Sequence, residues 1–190
     1  NALLAACCSD RSPAGVRDAA LFGLAVAAGL RREELVTLTT ADYRVNAEHG
    51  IGELVVRGKG NKERRVYVTN GTAEALADWI EVRGAAPGPL FLPVNKGGRV
   101  VFGKPMVGQA VSQLMARRAA QAGVAAFSPH DCRRTFISTL LDNGVDISTV
   151  AGVAGHANVE TTRRYDRRGE RAAVEAAGKT LHIPYQRGGR

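Results

Sequence analysis

Residues 128–144 read SPHDCRRTFISTLLDNG. Ser128 is an N-cap residue, Pro129 suits the first helical position, Asp131 stands where a capping box wants an acceptor, and Gly144 is a stop signal. The stretch therefore predicts a helix. His130 and Arg133 are three residues apart and share a face close to a helix N-terminus, which favours an anion. Arg134 points about 100° further round the same helix. A capped helix with surface charges would read the same way, so the weight of this pattern depends on its neighbours.

Immediately downstream, DISTVAGVAGH predicts a helix capped by Asp146, and NVETTRRYDRRGERAAVEAAG a further helix started by Asn158. Between them fall His156 and, nine residues on, Tyr165. A tyrosine near a helix end is ordinarily half-buried packing. A phenol is also a competent nucleophile toward phosphorus where cationic groups stabilise its deprotonated form.

Upstream, SPAGVRDAALFGLAVAAGL predicts a helix with Ser12 as N-cap, Pro13 at its first position and Gly29 as its stop. RREELVTLT resumes as a short helix. Here Arg31 is either a phosphate clamp or a partner for Glu33 or Glu34, and Glu34 reads as structural, a group that orients an arginine. In GELVVRGKGNKERRVYVT the β-branched runs 54–57 and 65–69 flank a Gly/Asn-rich turn, which predicts a β-hairpin over about residues 53–69 with Lys59 at its tip. TAEALADWIEVR and PMVGQAVSQLMARRAAQAG are amphipathic helices. Residues 84–104 read as loop with one brief strand in LFLPV. The fold class expected is α+β, mostly helical, with one small antiparallel sheet, in a single domain over residues 1–190 ending in a basic tail, 166–190.

Composition narrows the functions. The formal charge is +8, from 26 basic and 18 acidic residues, which favours a polyanionic partner, most often nucleic acid. The charge is concentrated. RGKGNKERR (57–65) has five basic residues and one acidic, and residues 163–190 have eight basic and three acidic. No apolar run reaches the roughly 18–20 residues that span a bilayer, and no signal peptide is evident. Cys7, Cys8 and Cys132 are odd in number and two are adjacent, unlike a disulfide framework. The four histidines are scattered, so no metal site is expected.

Four stretches, in order, resemble the boxes of the tyrosine recombinases, the integrase group that includes phage integrases. AAGLRREELVTLTTAD is similar to the first arginine box and puts Arg31 in the catalytic arginine position. VRGKGNKERRVYV looks like the hairpin of the catalytic lysine, which falls on Lys59. SPHDCRRTFISTLLDNG resembles the HxxR box, with His130 and Arg133. VAGVAGHANVETTRRY resembles the closing box, with His156 and the nucleophile Tyr165. The likeness runs from about residue 12 to residue 165. Members usually carry a separate N-terminal DNA-clamping domain for which 190 residues leave no room, so a catalytic-domain fragment or an unusually short member is expected.

The resemblance implies strand cleavage and rejoining through a 3′-phosphotyrosyl link, with no cofactor and no metal. Double-stranded DNA and further recombinase protomers, in a tetrameric synapse, are the implied partners, with no membrane, and the implied location is bacterial or phage-type cytoplasm beside the nucleoid. Arg57, Lys62, Arg64, Arg65, Arg134, Arg163 and Arg164 are the expected DNA-binding side chains. The tail after Tyr165 packs either on its own domain or on a neighbouring subunit. Rival functions are a type IB topoisomerase, which relaxes supercoils without exchanging strands, a noncatalytic DNA-binding relic of the fold, and an unrelated basic helical module.

Overall fold

The computed structural model describes residues 2–46, 51–58, 62–170 and 174. Helix α1 (Ala2–Ser9) leads into α2 (Pro13–Ala27) and the short α3 (Arg32–Thr37). A 3₁₀ turn (Thr40–Asp42) opens a meander of β1 (Tyr43–Asn46), β2 (Ile51–Arg57) and β3 (Glu63–Val68). Helices α4 (Asn70–Arg83), α5 (Gly108–Gln121), α6 (Pro129–Asp142), α7 (Ile147–Ala154) and α8 (Val159–Arg163) follow. The sheet is antiparallel in the order β1-β2-β3, with Leu54 facing Tyr43 on one side and Val66 on the other.

The expected caps are formed. The Ser12 hydroxyl accepts from Gly15 N–H ahead of Pro13, and Ser128 and Asp131 exchange the two bonds of a capping box. Asp146 and Asn158 cap α7 and α8. Each satisfies N–H groups that the first turn of a helix leaves without partners, worth about 1 kcal/mol apiece.

Helix α2 is central, because its residues 19–25 are apolar all round or small and nearly all fully buried. Leu21, Phe22 and Leu24 pack with Leu35 of α3, Leu54 and Val56 of β2, Leu76 and Trp79 of α4 and Met115 of α5. Burying one such side chain contributes about 1.5–3 kcal/mol. Asp18 of α2, fully buried, is held by Arg17 and by Arg118 of α5, whose other branch reaches Asp10. Removing Asp18 would leave the buried Arg17 without the carboxylate it bonds, so the network fixes how α5 and the α1–α2 turn seat on α2.

A second, smaller core lies beyond α2. Ile137 and Leu141 of α6 meet Val150 and Ala154 of α7, and Phe136, Val145 and Tyr165 pack against them. Two cores sharing α6 as a wall leave the ends of α3 and α7 facing each other.

Two expectations are corrected. LFLPV forms no strand. Leu90, Phe91 and Leu92 are buried, but the segment is tied by single bridges, Thr39 to Pro89 and Val94 to Val100, with Leu90 N–H donating to Leu38 O at 2.7 Å. The Asn158-capped helix stops at Arg163 instead of continuing through Tyr165. Helix α1 and strand β1 were not anticipated. Cys7 and Cys132 are buried thiols and Cys8 is exposed, with no disulfide. Among the described residues no helix is long and apolar enough to cross a membrane.

Candidate active site

The C-terminal end of α7 gathers the arginines. A helix leaves its last carbonyls without intrahelical partners, and these carry the negative end of its dipole. Here three consecutive ones accept from three arginines on three different elements. Val153 O takes Arg64 Nε of β3 at 3.1 Å, Ala154 O takes Arg133 Nη2 of α6, and Gly155 O takes Arg31 Nη2, just ahead of α3, at 2.9 Å. Gly155 makes this possible by ending the helix in the left-handed region (φ 67°), which only glycine enters without strain.

Glu34 binds two of the three. Its carboxylate accepts Arg31 N–H at 2.8 Å and Arg31 Nη1 at 2.8 Å, and it takes both Nη atoms of Arg64 end-on, at 2.9 and 2.8 Å. Burial pushes this carboxyl up, but the bonds from Arg64 and Arg31 outweigh burial and hold it at about 2. Among the described residues no carboxylate bonds Arg133. It is buried, and its other branch donates to Gly29 O at 2.7 Å. Burial first, then the charges of Arg31 and Arg64, lower it to about 10, so it stays protonated at neutral pH.

His156 follows directly. Its Nδ1 lies 2.8 Å from the hydroxyl of Thr162, itself fully buried in α8, and its ring stacks on Tyr165 with centroids 6.1 Å apart and planes 21° apart. Burial, then the charges of Arg133, Arg31 and Arg64, depress the imidazole to about 4. It is neutral at pH 7. Tyr165 is half-buried, with its ring against the second core and its phenol within electrostatic reach of Arg133. Beside this group opens a cavity of about 590 Å³, lined among others by Arg31, Arg57, Ser128, His130 and Arg133.

The chain has relatives. A family model described as "Phage integrase family" matches residues 1–171. The chain belongs to the phage integrase family. It is similar to tyrosine recombinase XerC of Vibrio campbellii, 35% identical over 160 residues, covering 83% of this chain and 48% of that one. It is also similar to tyrosine recombinase XerD of Xanthomonas axonopodis pv. citri, 38% identical over 178 residues and covering 86% and 54%. Among solved structures it shares the fold of XerA recombinase, at 24% identity, TM-score 0.70 and coverage of 95% and 63%. XerH site-specific recombinase bound to palindromic difH substrate, in a post-cleavage complex, matches at 22% identity and TM-score 0.72, covering 94% and 50%. The chain spans about half the length of the curated relatives it matches.

Of the family positions expected from sequence, Arg31, Arg133, His156 and Tyr165 lie together around the end of α7, and exposed His130 stands on the cavity wall. Lys59 lies outside the described residues, as does the tail beyond Glu170 apart from Val174. Among the expected DNA-contacting residues, Lys62, Arg134 and Arg164 are exposed. Arg57, Arg65 and Arg163 are exposed too, while paired with Asp42 and Glu63, Glu53, and Glu160. Arg64 differs. It points inward, with 12% of its side chain exposed. Sequence held the signal for this: along β3, residues 64, 66 and 68 share a face, and Val66 and Val68 are buried. Thr162, the partner of His156, was also missed, since nothing local distinguishes it from Thr161.

Proposed function

We propose that this chain is the catalytic part of a site-specific DNA recombinase that cleaves and rejoins strands through a 3′-phosphotyrosyl intermediate. The observation that supports this most is the tie of Arg31, Arg133, His156 and Tyr165 to one three-residue segment, 154–156, which presents two cations beside a phenol. In this proposal Arg31 and Arg133 bind the nonbridging oxygens of the scissile phosphate, where charge grows in the transition state. Each such fixed donor is worth about 10²–10³ in rate. Tyr165 Oη attacks phosphorus, the bond from phosphorus to the 5′-oxygen breaks, and Lys59 gives that oxygen a proton. His130 takes the phenolic proton. His156, neutral, serves as a hydrogen-bond donor: in the tautomer whose Nδ1 accepts from Thr162, Nε2–H is available to a phosphate oxygen. A 5′-hydroxyl from another strand then reverses the steps. Double-stranded DNA is the substrate, held on phosphates by the exposed arginines of β2, β3 and α6, and further protomers complete a synapse on paired sites.

The test is covalent trapping. The wild type and Tyr165→Phe are incubated with a pool of nicked duplexes of randomised sequence, from which the cleaved end diffuses away. A nucleotide-modified Tyr165 peptide from the wild type alone, with DNA binding kept in both, is the result expected. An adduct that persists in Tyr165→Phe means a different nucleophile, and the proposal falls.

A further inference from the structure

Arg64 is the member of the arginine cluster to which the proposed chemistry gives no part. Its burial argues against a DNA-backbone contact, since its guanidinium is already engaged on three sides: both Nη atoms on Glu34 and Nε on Val153 O. Glu34 in turn carries four hydrogen bonds, two from Arg64 and two from Arg31. With a side-chain exposure of 5%, its charge is poorly screened by water. Without Arg64, that charge would be answered by Arg31 alone, a few ångströms from where a phosphate must bind.

We propose that Arg64 is a positioning residue: it neutralises Glu34, so that Glu34 can orient Arg31 without cancelling the charge Arg31 offers to a phosphodiester. This rests on the recombinase reading above. Two further contacts fit it. Arg64 packs against Gly155, where an added Cβ would come within 3.0 Å of Nη1, and Gly155 is the residue whose carbonyl holds Arg31. Arg64 also joins β3, the strand that follows Lys59 in sequence, to α7, the helix that leads into His156. One guanidinium thus links β3, α3 and α7.

A structural staple and a charge neutraliser respond differently to a second substitution. Arg64→Met leaves Glu34 charged, whereas Arg64→Met with Glu34→Gln removes both charges and keeps an oxygen to accept Arg31 N–H. The readouts are single-turnover adduct formation on the trapped duplex and, separately, the Kd for uncleaved DNA. Arg64→Met is expected to slow cleavage about 10²-fold with Kd within about threefold of wild type, and the double variant to regain at least about tenfold. A double variant no faster than Arg64→Met overturns the proposal, as does a Kd that weakens in step with the rate, which would mark a DNA contact. Arg64→Lys keeps the charge and guards against a misfolded Met variant. It should stay within about tenfold of wild type, and a loss beyond about 10²-fold refutes neutralisation. If the wild type forms no adduct, the recombinase reading fails by itself. Inorganic phosphate then carries the test, with binding followed through the His156 ring resonances. Affinity should fall in Arg64→Met and recover in the double variant, and unchanged affinity in Arg64→Met overturns the proposal.

Discussion

Replacing Gly155 by alanine should damage the site well beyond its cost to the backbone, and a second glycine supplies the control. Gly155 and Gly123 have nearly the same left-handed φ, 67° and 65°. An alanine in either place meets the same strain of about 1–2 kcal/mol, partly offset by the lower entropy of the unfolded chain. Their surroundings differ. A Cβ at Gly123 finds nothing within 4 Å, whereas one at Gly155 meets Arg64 Nη1, Cδ and Cζ at 3.0–3.1 Å. Arg64 must retreat by a few tenths of an ångström, and its 3.1 Å bond to Val153 O is the one with least room to stretch. Losing a hydrogen bond to a charged group costs about 1.5–3 kcal/mol. Gly123→Ala should therefore destabilise by about 1 kcal/mol and Gly155→Ala by about 2–4 kcal/mol, or Tm decreases of roughly 2–4 °C and 4–16 °C. Urea unfolding gives the first comparison. The second is single-turnover adduct formation well below both Tm values, where Gly123→Ala should match wild type and Gly155→Ala should be slower by about 10–10²-fold, because Gly155 O holds Arg31. Equal stability losses, or a Gly155→Ala protein that cleaves normally, would refute the claim that the end of α7 organises the arginines.

Gly29→Ala should be more severe, since an added Cβ would lie 2.3 Å from Phe136 Cδ1 at φ 61° and Gly29 O also holds Arg133. A loss of about 3 kcal/mol or more is expected in urea unfolding, and an unchanged midpoint would contradict the packing. Acid should weaken the fold in two overlapping stages. The folded values, about 4 for His156 and about 2 for Glu34, lie below the ordinary 6.5 and 4.5, so the unfolded chain takes up protons first. Stability is complete above pH 6.5. It declines through His156 as pH falls from 6.5 to 4, and through Glu34, worth about 3 kcal/mol, from 4.5 to 2. Unfolding free energies measured from pH 7 to pH 4 should fall, with a shallower slope in His156→Gln, and a flat profile would show that neither group is perturbed.

What could be read in advance was what is decided locally. Ser12 with Pro13, Ser128 with Asp131, Asp146 and Asn158 each announce a helix start, because capping is settled within four residues. The hairpin was legible from two β-branched runs around a Gly/Asn turn. Strand β1 was not, since YRVN is too short to show a period and exists only by pairing with β2. LFLPV was misread as a strand because its burial comes from packing into the main core, with Trp79 of α4 against Phe91, and apolar content does not say whether neighbouring backbone is in register. The α8 boundary was misplaced because the sequence from Val159 onward stays helix-compatible, while Tyr165 is drawn instead into the core between α6 and α7. The five described positions expected to be catalytic were named through a resemblance. Their mutual bonds were invisible, since Arg31 and Gly155 are 124 residues apart.

Those long-range bonds account for a site that keeps like charges together. Arg31, Arg64 and Arg133 repel one another, and the depression of Arg133 to about 10 registers that repulsion together with burial. A carboxylate for each would quieten it and also cancel the positive charge a phosphate needs. Among the described residues their bonded partners are instead one carboxylate, Glu34, and the carbonyls of residues 29, 153, 154 and 155. A carbonyl orients a guanidinium and satisfies its N–H groups while leaving its charge in place. Three of these carbonyls end a helix whose dipole makes them the more negative. The cluster therefore keeps net positive charge, aimed by backbone atoms that no side-chain substitution removes. That is why the exposed variable in it is Gly155, the residue that lets the helix end there.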